Sequence, residues 1–415
     1  MAFGKKKPKR IEITSIEQAM EITNREFGIG KVIFASQLYK SNADRVPTGS
    51  FSLDASIGGG IPIGYSVLFW GDKSSGKTTA AYRSVAAFQR RMPDKYPLYI
   101  ASEQFDAENA SANGIDLERC ILILPESGEE AFDAAELLIR SRQISVIVID
   151  SADALIPKAE LEGSMEDMQR GASARMLNKA LRKLFSVMQP IADENGIIRY
   201  ENGLTAIWIS QMRINQGVMF GNPEMYGGGK GYGHAMGIVV HFGAQTKGRT
   251  IIKENSQGKK LSVGLTGATE APKNKTYPPN GTAEFDYYYS DYSVTKHGKR
   301  RQFYHGMIDH SKEIMNLALD YGILKGSASA FTYDNEKFNA HNFCYMLDQT
   351  PKETFNLIKQ LCIIIRPNIP KRLAKYYSDR IRENKKLVKE MSEFEKSTSK
   401  GSTSGPTKSK RKTRA

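Results

Sequence analysis

The sequence has 415 residues, which is enough for one large domain with a smaller companion or for two to three domains. Its 40% hydrophobic and 25% charged content is typical of a globular protein. No apolar run approaches the length of a membrane span and the basic N-terminus lacks a following apolar segment, so we expect neither membrane insertion nor secretion. Three widely spaced cysteines fit reduced thiols in the cytoplasm better than disulfides or a zinc site.

The net charge of +14 is concentrated at the two ends of the chain. Residues 1–10 carry five Lys and Arg residues and residues 397–415 carry six, with no acidic residue in either segment, so subtracting eleven from +14 leaves +3 for the rest. Each end fits either a solvated, disordered tail or an arm that binds nucleic acid. We predict a disordered basic tail over residues 391–415.

The first predicted element is a helix over Ser15–Phe27. Ser15 and Gln18 have the spacing of a capping box, and the glycines that follow the helix mark its end. The helix falls within residues 1–45, ahead of the predicted core. It could therefore be a separate N-terminal module.

A phosphate-binding loop is the strongest motif of the chain. The apolar run from Tyr65 to Trp70 predicts a buried strand, and the next residues match the pattern G-x-x-x-x-G-K-[ST] at every fixed position. In a P-loop the backbone N–H groups cradle the phosphates of ATP, while Lys77 reaches the β- and γ-phosphates and the Thr78 hydroxyl holds Mg²⁺. A chance Gly/Ser-rich loop is the alternative, but strand, loop and helix follow in the order that the mechanism requires. The predicted nucleotide-binding residues are Gly71, Asp72, Lys73, Ser74, Ser75, Gly76, Lys77, Thr78 and Thr79.

Strand and helix patterns then alternate along the chain. This alternation predicts an α/β fold in which a mostly parallel, twisted sheet is covered by helices on both faces. Ligands of such sheets bind at the carboxyl ends of the strands. The strand patterns are Leu98–Ala101, Ile121–Leu124, Val146–Asp150 and Leu204–Ser210, and the helical patterns are Glu129–Ser141 and Ser173–Met188.

Polar side chains occupy the predicted ends of three strands. Asp150 fits the Walker B carboxylate that supports Mg²⁺, and Glu103 could orient or deprotonate the water that attacks ATP. Gln211 lies where a sensor of the γ-phosphate would lie. The alternatives are an ordinary strand end for Asp150, a surface glutamate for Glu103 and a plain amide for Gln211.

Two polar segments follow the later strands. Met212–Gly233 is long and rich in glycine, and Leu161–Gly171 is shorter and leads into a helix that carries Arg175 and Arg182. A loop as long as the first is uncommon in a compact domain unless it is functional or disordered. Flexible segments beside Arg and Asn side chains suit a nucleic-acid backbone, and two mobile surface loops are the alternative.

Several of these motifs together resemble the bacterial and phage RecA family of homologous DNA recombinases. The similarity covers roughly Ser15 to Leu324. Separate motifs that occur in the same order make the resemblance specific. They are the P-loop Gly71–Thr79, Val46-Pro-Thr-Gly-Ser-Phe-Ser-Leu-Asp54, Pro157-Lys-Ala-Glu-Leu-Glu-Gly163 and Gly217-Val-Met-Phe-Gly-Asn-Pro-Glu224.

The resemblance implies an ATP- and Mg²⁺-dependent ATPase that forms a helical filament on single-stranded DNA, pairs it with homologous double-stranded DNA and exchanges strands. It implies a RecA-type core over residues 46–309, a small C-terminal α/β domain over 310–390 and a polymerisation arm at Ser15–Phe27. It also implies the bacterial cytoplasm, or a phage-infected cell, as location. The implied partners are DNA, further copies of the chain and a single-strand-binding protein or loader.

The resemblance also implies roles for individual residues. Glu103 would activate water, and Gln211 would couple the γ-phosphate to the second DNA-binding loop. Lys273 and Lys275 would reach the ATP of a neighbouring subunit, so that the active site is complete only at a filament interface. The residues that would contact the DNA backbone are Arg175, Asn178, Arg182, Arg213, Gly228 and Gly229.

The sequence departs from the family pattern at several points. Gln216 replaces the aliphatic residue that wedges between base triplets, and no adenine ligand can be assigned downstream of Glu103. Tyr287–Tyr289 is interpreted as strand core, and the tail is basic where the family usually has an acidic one. Two other functions use the same fold: a hexameric helicase or motor, and a DNA-coating filament in which ATP only switches conformation.

Overall fold

A computed structural model describes residues 13–28, 32–34, 44–163, 171–188, 203–214, 223–227, 229–243, 249–254, 257–365 and 370–401, and all structural statements below concern these ranges. The predictions made for residues 1–12, Gln216, Gly228 and residues 402–415 lie outside them, as does most of the second predicted DNA-binding loop.

The helices and strands alternate as the sequence predicts. The helices are α1 Ile16–Phe27, α2 Phe51–Ser56, α3 Lys77–Arg91, α4 Ala107–Ala112, α5 Gly128–Arg140, α6 Lys158–Glu162, α7 Ala172–Met188, α8 Gly229–Ala235, α9 His310–Asp320, α10 Ala340–Gln349, α11 Pro351–Ile365 and α12 Pro370–Gly401. The strands are β1 Arg45–Val46, β2 Ile61–Pro62, β3 Ser66–Gly71, β4 Tyr96–Ala101, β5 Ile121–Ile123, β6 Ile144–Asp150, β7 Thr205–Ile214, β8 Glu224–Tyr226, β9 Ile238–Phe242, β10 Thr250–Glu254, β11 Lys260–Asn274, β12 Gly281–Tyr288, β13 Tyr292–Lys296, β14 Lys299–Phe303, β15 Lys325–Ser327, β16 Ala330–Tyr333 and β17 Glu336–Phe338.

The centre of the fold is a parallel sheet with the strand order β9-β3-β7-β6-β4-β5. All residues of β3 and β6 are buried, as expected for strands with helices on both faces. Side chains alternate between the faces: Val67 and Phe69 join a core with α3, whereas Leu68 and Trp70 join a core with α5 and α7. The predicted α/β fold with a mostly parallel central sheet is confirmed.

An antiparallel extension adds to one side of this sheet. The long strand β11 pairs with β9, β10 and β12 in antiparallel register. Much of the region between Lys247 and Pro272 is therefore a hairpin built from consecutive strands. Antiparallel pairing follows because each turn between these strands is short.

The C-terminal part forms a small helical unit with a three-stranded antiparallel sheet, β15–β17. Helices α9–α12 and this sheet share an apolar core that includes Phe331, Phe343 and Leu361. The predicted small C-terminal α/β domain is thus present. The division of the chain at residues 45 and 309 stays a prediction.

The start of the predicted disordered tail is wrong, because α12 continues to Gly401, past residue 390. Opposite charges four residues apart support this part of the helix: Lys386 lies 3.5 Å from Glu390 and Lys389 lies 3.9 Å from Glu393. The basic residues at the end of the chain dominate its net charge, and a net charge does not show that opposite charges are spaced four residues apart.

A buried carboxylate joins the core to the C-terminal helices. Asp54 of α2 accepts hydrogen bonds from the Thr48 backbone N–H at 2.8 Å and the Thr48 hydroxyl at 2.7 Å. Its other oxygen accepts the hydroxyl of Tyr377 on α12 at 2.5 Å. Burial raises the pKa of Asp54 from 3.8 to about 7, and the hydrogen bonds offset only part of that shift.

The raised pKa of Asp54 should make the free energy of unfolding fall as pH rises. Because its pKa is higher in the folded state, the folded chain binds this proton more tightly, and the contribution is lost between about pH 4 and about pH 7. An asparagine can accept from Thr48 and donate to Tyr377, so Asp54→Asn should reduce this loss by about 2–4 kcal/mol. Urea unfolding across this pH range measures it. Asp320→Asn, at the exposed end of α9, is the control, and an unchanged pH slope for Asp54→Asn would contradict the prediction.

Candidate functional site

The P-loop connects the end of β3 to the start of α3. Gly71 has φ +147°, and a Cβ there would lie 2.0 Å from the carbonyl oxygen of Phe242 on the neighbouring strand β9. Gly76 takes the left-handed conformation, with φ +96°, directly before the first residue of α3. Both positions require glycine, the first for a close backbone approach and the second for its dihedral angle. The loop therefore directs the N-terminus of α3, with its free N–H groups, towards the strand ends.

Lys77 is buried beneath this loop. Its Nζ donates to the carbonyl oxygens of Gly71 at 3.0 Å and Asp72 at 2.5 Å. Burial lowers the pKa of Lys77, against the opposing charges of Asp150, Asp72 and Glu103. The ammonium group is thus held at the mouth of the loop by backbone oxygens that a phosphate could replace.

Asp150 ends β6 and is buried beside the P-loop. Burial raises the pKa of Asp150, whereas hydrogen bonds from the hydroxyls of Tyr99, at 2.5 Å, and Thr78 lower it. Thr78 lies in the first turn of α3, and its effect on the Asp150 pKa indicates that the two side chains are neighbours. Mg²⁺ bound with nucleotide often takes only one or two protein ligands and completes its shell with phosphate oxygens and water, so this pair suits that ion. The described residues contain no cluster of three or more His, Cys, Asp or Glu side chains fit for a metal.

The two other predicted strand-end residues are in direct contact. Gln211 Nε2 donates to Glu103 Oε1 at 2.8 Å. The sheet register makes this contact possible, because Gln211 lies beside Gly71 of the P-loop and the residues that follow β4 donate N–H groups to the Asp150 carbonyl. Asp150, Glu103, Gln211 and the P-loop thus lie along one edge of the sheet.

A cavity of about 420 Å³ lies over the P-loop, between Ser74–Thr79, Leu265, Tyr287 and Tyr289. The interpretation of Tyr287–Tyr289 as strand core is wrong for Tyr289, which follows the last residue of β12, is 38% exposed and borders this cavity. Tyr288, one residue earlier, stacks on Phe303 in the core at a ring distance of 4.2 Å. Alternation along the strand places these neighbours on opposite faces.

The described residues predicted to contact DNA lie on three elements, α7, β7 and the start of α8. Arg175, Asn178 and Arg182 lie on one face of α7, because they are spaced by three and four residues, and both arginines are exposed. Arg213 is exposed near the end of β7. Helix α7 packs against α8, which begins at Gly229.

Lys273 and Lys275 lie apart from the P-loop of their own chain. Lys273 Nζ donates to the carbonyl oxygens of Gly233 at 2.8 Å and His234 at 3.0 Å, at the end of α8. Partial burial and the charge of Lys275 lower the pKa of Lys273. Neither lysine lines the P-loop cavity formed by the described residues.

Two residues at this edge were not predicted from the sequence. Tyr99 holds Asp150, and Asp153, in the short turn after β6, accepts hydrogen bonds from Ser210 and Gln211 of β7. The sequence signal for Tyr99 was only its position within the predicted apolar strand that ends at Ala101. Asp153 had no signal, because its partners lie more than fifty residues away.

The similarity to known proteins accords with this geometry. The RecA N-terminal domain family matches residues 14–293, most of the chain. The protein RecA of Tropheryma whipplei (strain Twist) is 35% identical over 79% of this chain and 69% of its own length.

The chain belongs to the RecA family. Protein RecA of Frankia alni is 32% identical over 79% of this chain and 87% of its own, and that of Mycolicibacterium smegmatis is 32% identical over 83% and 91%. Membership confirms the family predicted from the motifs. The predicted function and enzyme class, an ATP-dependent recombinase of DNA recombination and repair with DNA-dependent ATPase activity, are those of the RecA family. No described helix is both long and apolar enough to cross a bilayer.

The two P-loop glycines should differ in their response to alanine. Gly76→Ala meets no atom within 4 Å and should cost about 1–2 kcal/mol of unfolding free energy, from the left-handed dihedral alone. Gly71→Ala places its Cβ against the backbone of β9, and this clash should add about 1–3 kcal/mol. Denaturant unfolding of both variants measures the difference, and equal losses would contradict the close approach at Gly71.

Proposed function

We propose that this RecA-family chain forms a helical filament on single-stranded DNA, pairs that strand with homologous double-stranded DNA and exchanges strands, and that it hydrolyses ATP at the interfaces between subunits. The observation that carries the proposal is the hydrogen bond between Gln211 and Glu103. It joins the candidate water-activating residue to the strand that leads into the candidate DNA-binding loop.

The nucleotide site works through positioned charges. The P-loop N–H groups and Lys77 bind the phosphates. Thr78 and Asp150 would hold Mg²⁺, which would supply positive charge to neutralise the phosphate oxygens. The Glu103 carboxylate accepts a proton from the attacking water or orients it. Its hydrogen bond to Gln211 restricts the carboxylate, so a shift of Gln211 towards the γ-phosphate frees one oxygen of Glu103 for water.

Strand β7 is the physical link between nucleotide and DNA. It carries Gln211 and, two residues later, Arg213, and it forms a hairpin with β8 in which Arg213 lies opposite Met225. Together with Arg175, Asn178 and Arg182 of α7 and with Gly228 and Gly229, Arg213 contacts the DNA backbone. Movement of one end of β7 is therefore transmitted to the other within a few residues.

The active site is completed by a neighbouring subunit. Lys273 and Lys275 lie outside the P-loop cavity of their own chain, which supports a role at the phosphates of the next subunit. Helix α1 supports assembly, because none of its residues is buried and Ile16 and Phe27 are 63% and 65% exposed. Such an apolar arm suits docking on another copy of the chain.

We further infer that the chain acts in the cytoplasm of a bacterium or a phage-infected cell. A single-strand-binding protein or a loader would help it reach DNA. Pairing and exchange of homologous strands distinguish the proposal from a DNA-coating filament in which ATP only switches conformation. Electron microscopy with single-stranded DNA and an ATP analogue separates helical filaments from the closed rings of a helicase.

Mixing two inactive variants tests whether the site is shared. Glu103→Ala and the double variant Lys273→Ala/Lys275→Ala should each bind ATP but hydrolyse it at least about 100-fold more slowly. In an equimolar mixture about a quarter of the interfaces combine an intact Glu103 with intact lysines from the neighbour, so turnover should recover to about a quarter of the wild-type rate. ATP turnover on single-stranded DNA is the measurement.

A second mixture is the matched control. Lys77→Ala and Glu103→Ala both damage the ATP-bearing side of the interface, so their mixture should stay inactive. If the first mixture also stays inactive although both variants enter the same filament, the site lies within one chain and the shared-site proposal is wrong.

The basic end of the chain should increase the salt dependence of DNA binding. Residues 402–415 carry five Lys and Arg residues and no acidic residue. Replacing these five with Gln should reduce the slope of log affinity against log salt for single-stranded DNA by up to about 3, because fewer counterions are released. Fluorescence anisotropy from low to moderate salt measures the slope, and an unchanged slope would exclude the tail from DNA contact.

A further inference from the structure

Asp153 connects three segments that meet at the candidate active site. It lies in the short helical turn Ala152–Ala154, three residues after Asp150. Its Oδ2 accepts the Ser210 hydroxyl at 2.6 Å and the Gln211 backbone N–H at 3.1 Å. One carboxylate oxygen thus holds the strand β7 at the residue whose side chain contacts Glu103.

The same contacts continue to the far side of the candidate DNA-binding loop. The Ser210 hydroxyl oxygen accepts the backbone N–H of Gly227 at 3.1 Å, directly after β8. The chain passes so close there that a Cβ on Gly227 would lie 2.1 Å from Asp153 Oδ1. The Asp153–Ser210 pair therefore holds together the base of the β7–β8 hairpin that carries this loop.

Burial and neighbouring charges restrict the hydrogen-bond partners of the Asp153 carboxylate. Burial raises the pKa of Asp153, while Ser210, the positive charge of Arg213 and the Gln211 N–H lower it. Ser210 is fully buried. A carboxylate in such a place has few alternative partners, so its hydrogen bonds respond together when one of them moves.

We propose that Asp153 is a positioning residue that couples the Gln211 sensor to the DNA-binding loop through Ser210 and Gly227. A displacement of Gln211 towards nucleotide pulls on Asp153 Oδ2 and is passed through the Ser210 hydroxyl to Gly227, directly after β8 at the base of the hairpin that carries the loop. Binding of DNA at Arg213, two residues beyond Gln211 on β7, acts in the reverse direction through the same hydrogen bonds. This inference rests on the proposed roles of Gln211 and of the loop.

The test compares ATP turnover of the full-length chain with and without single-stranded DNA. In Asp153→Ala the stimulation by DNA should fall about tenfold, because a charged hydrogen-bond partner is lost. Basal turnover and binding of a fluorescent ATP analogue should stay within about twofold of wild type. Asp153→Asn keeps an oxygen that can accept from both Ser210 and Gln211, and it should restore most of the stimulation.

Ser210→Ala provides an independent variant in case Asp153→Ala folds poorly. It breaks the link to Gly227 but leaves the Gln211 N–H bonded to Asp153, and it should also lose stimulation. The double variant should lose little more than either single one, because both act on one network. The matched control is Asp133→Ala, which removes an exposed carboxylate that pairs with Lys183 on α7 and does not contact β7.

Three results would overturn the inference. Stimulation that survives in both Asp153→Ala and Ser210→Ala excludes the coupling role. An equal loss of basal turnover, ATP binding and stimulated turnover assigns Asp153 a structural role only. If instead the ATP turnover of the wild-type chain does not depend on DNA, the proposed function is wrong and the inference fails with it. The two failures are therefore distinguishable.

Discussion

The hydrogen-bond register of the parallel strands β4, β6, β7 and β3 is the constraint on which the rest of the structure depends. Ala101 lies opposite Asp150, and Gly71 lies opposite Gln211. A slip of one residue would turn each strand-end side chain to the other face of the sheet. The register is held by complete burial of β3 and β6 between two apolar layers, so the core packing also fixes the geometry of the site.

This register places chemically different side chains at the ends of neighbouring strands. The end of β6 supplies the buried carboxylate of Asp150, the residues after β4 supply the exposed one of Glu103, and β7 supplies the amide that contacts Glu103. Burial raises the pKa of Asp150, and the hydroxyls of Tyr99 and Thr78 offset part of this shift. Because β7 carries both Gln211 and Arg213, the candidate nucleotide site and the candidate DNA contacts are separated by only a few residues of one strand.

How much of this could be predicted from sequence depended on the range of the interaction. Apolar runs and local motifs predicted the strands β3 to β6 within about two residues, the P-loop and the helix α7, because burial and turn chemistry act over neighbouring residues. Strand β7 continues to Ile214, four residues past its predicted end at Ser210. The same runs could not show that Tyr289 leaves the core or that Asp153 meets Ser210, because those contacts depend on strand pairing. The extent of α12 was missed because a net charge was considered instead of the spacing of opposite charges.

The family motifs carried the prediction of function further than the local chemistry did. A P-loop with a strand-end carboxylate fits many ATPases, whereas the ordered motifs from Val46 to Glu224 fit one family, and the match over residues 14–293 agrees with them. The structure adds a physical route between the two ligands of that family, through the Gln211–Glu103 hydrogen bond and the base of the β7–β8 hairpin.

The most direct test of this route is the rate of ATP turnover by the wild-type chain as a function of the length of single-stranded DNA. If hydrolysis needs both an occupied DNA loop and a neighbour's lysines, turnover should remain basal on oligonucleotides that hold one subunit. It should then rise steeply with each further subunit that the strand can hold. Turnover that is independent of DNA, or that is already maximal on the shortest strand, would contradict the account.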